Sequence, residues 1–453
     1  MQNSKKLTLA VLIQAALVST AFASEQSESK GFVEDAEGSV LFRTGYLTRD
    51  YKGTNPGTDT SSFAQTAIVK LDSGFTKGTV GFGAGIIGDA SFKLGENGHT
   101  GNGMIPTHPQ NNAGGTKDAY DHWTRGGAYV KARVSNTTAT YGTQVLDLPV
   151  LASNTARLVP EYFTGVLVES NEIENLNLVA GKFTENQYSN QINSDGNELD
   201  RAVVWGAKYK FNDQLNSSYY GVDVKDKLQR HYVNANYNYT LANDSILTHD
   251  FSGYHTEFEA GSSSNIGTLT EDKQNSIWAI SSTYSKDVHN VMLAYQQNTG
   301  SLGYDYGNNA DGAQSIYLPN SYLSDFIGKD EKSLGLQYNY SFKNQGLPGL
   351  NWTSAFVYGW DIDVLDNEQE GQEREFFNQV KYTVQSGFAK DTSLRVRHSY
   401  YRANDSYKSI YMNDTHEWRI WLDIPVKLFY FTRVSSHKKP AHCAGFLFQT
   451  LKS

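Results

Sequence analysis

Polar and apolar side chains alternate with a period of two along most of this chain, and this pattern limits its possible folds more than any other feature. In SLRVRHSYYRAND, Arg395 and Arg397 share one face, and Leu394 and Val396 share the other, because successive side chains of a strand point to opposite sides. The same alternation returns in EFFNQVKYTVQSGF, HEWRIWLDIPVKL and SVLFRTGYLTRDY. The sequence therefore predicts many strands, each with a polar and an apolar face.

Composition and connections indicate that these strands close into a membrane barrel. The mean hydropathy is −0.52, too polar for a bundle of membrane helices, yet Tyr (29) and Phe (22) are abundant and Pro (9) is scarce. Short turns such as QSGFAKD alternate with long polar stretches, as in outer-membrane barrels. The predicted fold class is all-β, a transmembrane antiparallel β-barrel. A soluble β-sandwich, the alternative, needs a core richer in Leu, Ile and Val.

The length of the chain sets the size of this barrel. At roughly 22 residues per strand and connection, there is room for about 18 strands. A barrel of this size leaves an aqueous lumen. We therefore expect the polar faces to line water and the aromatic and aliphatic faces to meet lipid.

Three segments are predicted along the chain. Residues 1–23 have a basic start, an apolar stretch and an A-x-A site ending at Ala23, which is typical of a secretory signal peptide. Residues 24–429 are expected to form a single barrel domain in the outer membrane of a Gram-negative bacterium after cleavage of that peptide. Residues 430–453 do not alternate and contain Cys443, the only cysteine. We expect a non-barrel tail there, from translation past the natural end, with a genuine periplasmic tail as the alternative.

One segment inside the barrel domain does not alternate. Thr143–Gly165 contains Pro149 and Pro160, and proline is avoided in central strands because it removes a ladder donor. The segment is also more apolar than the Gly- and Asn-rich loops elsewhere. We predict a constricting loop folded back into the lumen; a loop packed on the barrel rim is the alternative.

Other motifs give no sign of enzyme chemistry. The net charge of −9 is unfavourable for nucleic-acid binding, and a single cysteine rules out a disulfide framework or a cysteine zinc site. The glycine motif GAGIIG lacks the following helix that a dinucleotide site needs, and its glycines instead give a strand with a bare inner face. The histidines form no HExxH motif and no G-x-S-x-G elbow is present, although a spatial Ser-His-Asp triad stays open. We expect no enzyme activity, no cofactor and no metal site.

Basic residues recur on the predicted polar faces. They are Lys381, Arg395, Arg397, Arg419, Arg43 and Arg49. Guanidinium groups bind carboxylates bidentately and stay charged, so a row of them offers successive weak sites along a pore. The alternative is a structural role, in which each arginine pairs with an acid across the lumen.

At this point the sequence resembles a known family. The segments LDSGFTKGTVGFGAGIIGDASFKL, LASNTARLVPEYFTGVLVES, YLSDFIGKDEKSLGLQYNY, GLPGL and KYTVQSGFAKDTSLRVRHSYYRAN are similar to the OprD family of outer-membrane porins, from about Gly31 to about Phe429. The resemblance implies an 18-stranded barrel that takes up small water-soluble molecules, mostly carrying a carboxylate, including amino acids and some carbapenems. It also implies an arginine and lysine ladder on one wall and an inward third loop opposite.

The resemblance assigns roles to individual residues. Lys381 of KYTVQS, Arg395 and Arg397 of LRVRHS, and Arg419 of EWRI match the ladder. Arg157 of ARLVP becomes the basic residue of the constricting loop, and Asp325 of SDF an acidic contact near the narrowest point. Arg43 and Arg49 fit one end of the ladder.

The predicted function is passive, substrate-selective diffusion of small carboxylate-bearing molecules across an outer membrane. Its partners are then anionic or zwitterionic solutes, membrane lipid and lipopolysaccharide, with no nucleic acid, in a monomer or loose trimer. A channel for neutral oligosaccharides is the nearest alternative and predicts aromatic tracks in the lumen. An outer-membrane enzyme predicts a Ser-His pair at the rim, and an adhesion barrel predicts a plugged lumen.

Overall fold

The structure, a computed structural model, describes residues 24–53, 59–96, 101–108, 118–196, 198–264, 267–307, 315–364 and 369–430. Its main element is one 18-stranded antiparallel sheet. The first strand pairs with both the second and the last, so the sheet closes into a barrel. This confirms the predicted fold class and strand number.

The strands of the barrel are numbered here in chain order. They are β1 Glu37–Tyr51, β2 Thr60–Asp72, β3 Val80–Glu96, β4 His122–Val134, β5 Thr137–Gln144, β6 Tyr162–Ile173, β7 Leu176–Gln187, β8 Ala202–Lys210, β9 Leu215–Val224, β10 Leu228–Thr240, β11 Ile246–Phe258, β12 Lys273–Lys286, β13 His289–Gly300, β14 Lys332–Ser341, β15 Leu350–Ile362, β16 Gly371–Thr383, β17 Ser393–Ala403 and β18 Thr415–Tyr430.

Smaller elements lie between the strands. Asp147–Leu148 pairs with Leu151–Ala152, and Ser263–Ser264 pairs with Gly267–Thr268. A 3-10 turn covers Phe342–Gln345 and a single helical turn, α1, covers Asp405–Lys408. No helix in the described ranges is long and apolar enough to cross a membrane.

The two faces of the strands differ as the alternation predicts. On β17, Leu394 is 46% exposed on the outside and Arg395 is 5% exposed on the inside. On β14, Leu334 and Leu336 are exposed whereas Ser333 is buried. The outer surface is therefore an apolar band, and the polar side chains point into the barrel.

The two ends of the barrel are unequal. At one end, tight turns such as 135–136 and 174–175 join the strands; we call this the turn end. The longer connections 145–161 and 301–331 leave from the other end, the loop end. Transmembrane barrels combine short periplasmic turns with longer external loops.

Two loops fold into the barrel and pack on each other. Leu146 and Val150 of the first inward loop (145–161) belong to one buried apolar cluster with Leu302 and Leu318 of the second inward loop (301–307 and 315–331). The Tyr317 hydroxyl also donates to Asp147. The predicted inward loop is thus confirmed, with shorter bounds, because the predicted ends of the segment continue the strands β5 and β6. The second inward loop was not predicted.

The predicted signal peptide, residues 1–23, and residues 431–453 of the predicted tail lie outside the described residues. Tyr430 ends β18 and stands opposite Glu37 of β1. The last strand therefore extends one residue beyond the predicted end of the barrel domain.

Candidate functional site

Basic side chains come together on three neighbouring strands of the wall. Lys381 on β16 stands directly opposite Arg395 on β17, and Arg397 on β17 stands opposite Arg419 on β18. Directly opposed residues on antiparallel strands have Cβ atoms about 4.5–5.5 Å apart, and like charges in that position repel. These two pairs of like charges lie side by side and form a concentrated positive surface that faces the lumen.

Acidic residues neutralise one part of this surface. Arg43 Nε donates to Asp423 Oδ1 at 2.7 Å, and its Nη2 donates to Oδ2 at 3.0 Å. Arg49 Nε donates to Glu417 Oε2 at 2.7 Å, and the other oxygen of Glu417 accepts from Arg419 Nε at 2.5 Å. Arg43, Arg49 and Arg419 thus each have a carboxylate partner.

Lys381 and Arg395 are attracted only at longer range by Asp423, the carboxylate that Arg43 binds. Within the part of the chain that the structure describes, neither Lys381 nor Arg395 forms an ion pair. Arg395 is 5% exposed, and its Nη1 is buried without a hydrogen-bond partner among those residues. The guanidinium carbon of Arg397 lies 5.0 Å from the centre of the Phe377 ring. A buried cation without an acid is costly, so Arg395 is a favourable place for an anion.

Arg157 lies on the first inward loop, where the sequence placed it. Its Nε donates to the carbonyl of Asn102 at 3.1 Å. Wall arginines bind the same part of the loop, because Arg43 Nη1 donates to the Arg157 carbonyl at 3.2 Å and Arg419 Nη1 to the Ala156 carbonyl at 3.4 Å. Burial lowers the pKa of Arg157, and the positive charges of Arg419 and Arg49 lower it further. The loop therefore adds a cation to the same positive region.

Asp325 lies on the second inward loop. Its carboxylate accepts hydrogen bonds from the Tyr306 hydroxyl and the Ser321 hydroxyl of the same loop. Its carbonyl accepts from Gln296 Nε2 of the wall at 3.0 Å. The second inward loop and the wall thus hold the half-buried Asp325 in place.

Wall residues that the sequence did not single out fix both inward loops. Arg125 Nη2 lies 2.9 Å from Asp89 Oδ2, with both side chains fully buried, and it also donates to the Pro160 carbonyl at 2.6 Å. Glu375 accepts from the backbone amides of Leu323 at 3.0 Å and Ser324 at 2.9 Å. The alternation of polar and apolar residues does place Arg125 and Glu375 on polar strand faces. The residues that they bind are far away in the sequence, so these contacts could not be predicted from it.

A polar cavity of about 310 Å³ lies beside the basic surface, towards the turn end. Lys381 lines it together with amide and hydroxyl side chains that include Gln379, Asn339 and Thr353. Such groups can replace the hydration of a small polar solute without holding it tightly. The cavity thus continues the polar path past Lys381.

Comparison with known proteins agrees with this architecture. Residues 30–428 match the family described as outer membrane porin, OprD family. The chain belongs to the OprD family. Porin D of Pseudomonas aeruginosa is 35% identical over 438 residues, which cover 91% of this chain and 95% of that protein.

Solved structures of OprD-family proteins match the barrel as well. The crystal structure of OccAB1 of Acinetobacter baumannii is 65% identical, with a TM-score of 0.86, and the match covers 90% of this chain and 100% of that one. OprD of Pseudomonas aeruginosa is 32% identical, with a TM-score of 0.74 and coverage of 90% and 100%.

The family places the barrel in the outer membrane of a Gram-negative bacterium, as a substrate-specific porin for small solutes. With this placement, the turn end of the OprD-family barrel faces the periplasm and the loop end faces outwards.

Proposed function

We propose that this OprD-family porin selects small water-soluble molecules that carry a carboxylate, such as amino acids, and passes them by downhill diffusion. Carbapenems carry the same group and belong to the same class of solute. The proposal needs no nucleophile, cofactor or energy source, because selection comes from the charge of the pore wall alone.

The observation that carries this proposal is the pair Lys381 and Arg395. The two stand opposite each other, and neither forms an ion pair within the described part of the chain. A carboxylate entering between them supplies the missing negative charge, and hydrogen bonds to charged groups are worth about 1.5–3 kcal/mol. Arg43, Arg49 and Arg419 have acidic partners already, and we assign them to shaping the positive field.

The other predicted site residues have places in this scheme. Arg397 and Arg419 continue the basic surface next to the unpaired cations, and Arg157 faces it from the first inward loop. Asp325 is on the second inward loop, and we propose that it meets the ammonium group of zwitterionic solutes. A solute then moves past several weak contacts and is still able to leave.

Two aromatic residues between the wall and the second inward loop are packed too tightly to serve a sugar path. Tyr254 and Tyr304 are 3% and 2% exposed, and their rings pack on each other with centres 5.5 Å apart. Stacking on a sugar needs exposed ring faces, and these rings are used for packing between wall and loop. This observation supports a carboxylate solute over a neutral oligosaccharide.

The double variant Lys381→Gln with Arg395→Gln tests the proposal. It removes two positive charges and keeps polar side chains of similar length. In proteoliposomes, influx of a small carboxylate should fall roughly tenfold, since about 1.4 kcal/mol corresponds to a factor of ten. The loss of influx should be larger at 0.01 M salt, where the Debye length is about 30 Å, than at 0.1 M salt, where it is about 10 Å.

Two controls make the result specific. Influx of a neutral solute of the same size should stay unchanged in the double variant. Arg201→Gln with Lys225→Gln removes two cations from exposed ion pairs at the loop end and should leave both fluxes unchanged. Equal loss of both fluxes in the Lys381 and Arg395 variant would show that these residues only shape the pore. No loss of either flux would place them off the permeation path.

A further inference from the structure

Two carboxyl groups are buried together where the second inward loop meets the wall. Glu331 ends the loop and Glu373 lies on β16, and each residue is 1% exposed. Neither makes an ion pair with a described residue. Two ionised carboxylates buried without a cation are strongly unfavourable, so the arrangement requires a different charge state.

The backbone around Glu331 is built to hold its carboxyl group. The amide of Gly328 donates to Glu331 Oε2 at 2.7 Å. A Cβ at Gly359 would lie 2.1 Å from Glu331 Oε1, so only glycine leaves room for the carboxyl group there. Oε1 is buried and receives no hydrogen bond from a donor of the described residues. Oε1 therefore needs either a hydrogen bond from a protonated neighbour or a proton of its own.

Glu373 binds the second inward loop from the wall. Its two carboxylate oxygens accept from the hydroxyl of Ser324, on the second inward loop, at 3.0 and 2.9 Å. Glu373 stands directly opposite Gly359, and Glu331 Oε1 occupies the space beside that same glycine, so the two carboxyl groups are neighbours. A proton between them removes one negative charge and adds a hydrogen bond between loop and wall. Two carboxylates that share a site behave in this way in other proteins.

The groups that face the pair do not offer a positive charge in its place. They are Asp325 and the phenols of Tyr401, Tyr407 and Tyr411. Burial, followed by the negative charge of Glu373, raises the pKa of Glu331 well above its usual range. Glu331 therefore keeps its proton to a higher pH than an ordinary glutamate.

We propose that Glu331 and Glu373 share one proton and act as a pH-sensitive latch that holds the second inward loop against the barrel wall. Because the pKa of Glu331 is raised in the folded protein, the latch stays closed to a higher pH than an ordinary glutamate would allow. It is lost as the pH rises through that raised value, when two buried negative charges repel each other. The second inward loop packs on the first, so release of its base would widen the pore.

Single-channel recording of the full-length porin in planar bilayers between pH 5 and pH 10 tests the latch. The conductance of the unmodified protein and its fluctuations should increase at the alkaline end. Glu331→Gln keeps the shape and a hydrogen-bond donor without a titrating proton, so its conductance should stay at the low-pH level throughout. The matched control Glu257→Gln, an exposed carboxylate at the loop end, should keep the alkaline transition.

Two outcomes overturn the latch. One is an alkaline transition of Glu331→Gln that matches the unmodified protein; the other is no transition in the unmodified protein at all. Glu373→Gln replaces the other partner and should abolish the transition equally, so it serves if Glu331→Gln fails to assemble. Assembly of each variant is checked by its mobility in detergent gels before and after boiling. Selectivity for carboxylates is a separate readout, because both variants leave Lys381 and Arg395 in place.

Discussion

Glu417 binds two of the lumen arginines at once. It is 3% exposed, and its two oxygens accept from Arg49 and Arg419. Both arginines are therefore held in fixed positions by one acid. Their charge is balanced by a direct ion pair, whereas Arg395 forms no ion pair with a described residue. We therefore expect the selectivity of the wall to depend on which arginines lack an ion pair, not on the number of arginines.

Replacing Glu417 by Gln should change both selectivity and stability. The substitution removes one negative charge beside Arg49 and Arg419, so the ratio of anion to cation permeability should rise. Breaking a buried ion pair costs about 3–5 kcal/mol when one partner stays behind, so the free energy of unfolding should fall, by less than this because lumen water screens the arginines. The reversal potential in a KCl gradient measures the first effect and urea unfolding in detergent the second. A reversal potential identical to that of the control Glu257→Gln would show that the charge of Glu417 does not reach the permeating ions.

The inward loops depend on side chains of the strands for their positions. Arg125 of β4 binds Asp89 of β3, the Pro160 carbonyl of the first inward loop and the Tyr188 carbonyl at 2.7 Å. The Tyr162 hydroxyl donates to the same Asp89 at 3.0 Å. One buried ion pair thus connects two strands with the ends of two loops. Loss of this ion pair should displace the ends of these loops while the barrel itself stays closed.

Arg125→Met tests this dependence. The variant leaves Asp89 buried without a cation and frees the Pro160 carbonyl, so the first inward loop should lose its fixed position. We expect a larger and noisier single-channel conductance, and a loss of stability of about 3–5 kcal/mol. Adding Asp89→Asn removes the unpaired charge and should restore most of the stability without restoring the conductance. Recovery of both properties by Asp89→Asn would contradict an anchoring role for Arg125.

The sequence predicted those features that depend on neighbouring residues. The period of two is local, so the inner face of Arg395 and the outer face of Leu394 followed from it directly. The ion pair of Arg43 with Asp423 joins residues 380 positions apart and has no local signal. The second inward loop was missed for the same reason, because Glu375 of a distant strand holds its backbone at Leu323.

Closure is the property of the whole barrel that every site depends on. β1 pairs with β18 along its length, from Glu37 opposite Tyr430 to Tyr51 opposite Thr415. The backbone groups at both edges of the sheet are thereby paired within the chain, which is necessary where no water can bond them. A closed sheet also has no edge from which unfolding can begin. The residues of the lumen therefore sit on a rigid wall, to which hydrogen bonds and apolar contacts attach the inward loops.

This closure predicts that the folded barrel resists detergent until it is heated. In an electrophoresis gel containing dodecyl sulfate, the unboiled protein should stay compact and migrate faster than the boiled protein, because the closed hydrogen-bonded barrel has no free edge to unzip. Circular dichroism of the unboiled sample should show mainly β-structure. Equal mobility before and after boiling, together with a mainly helical spectrum, would contradict the barrel. Equal mobility with a β-spectrum would instead mean that the detergent opens the seam between β1 and β18, and a disulfide between cysteines placed at Val40 and Val426, which stand opposite each other, should then restore the fast-migrating form.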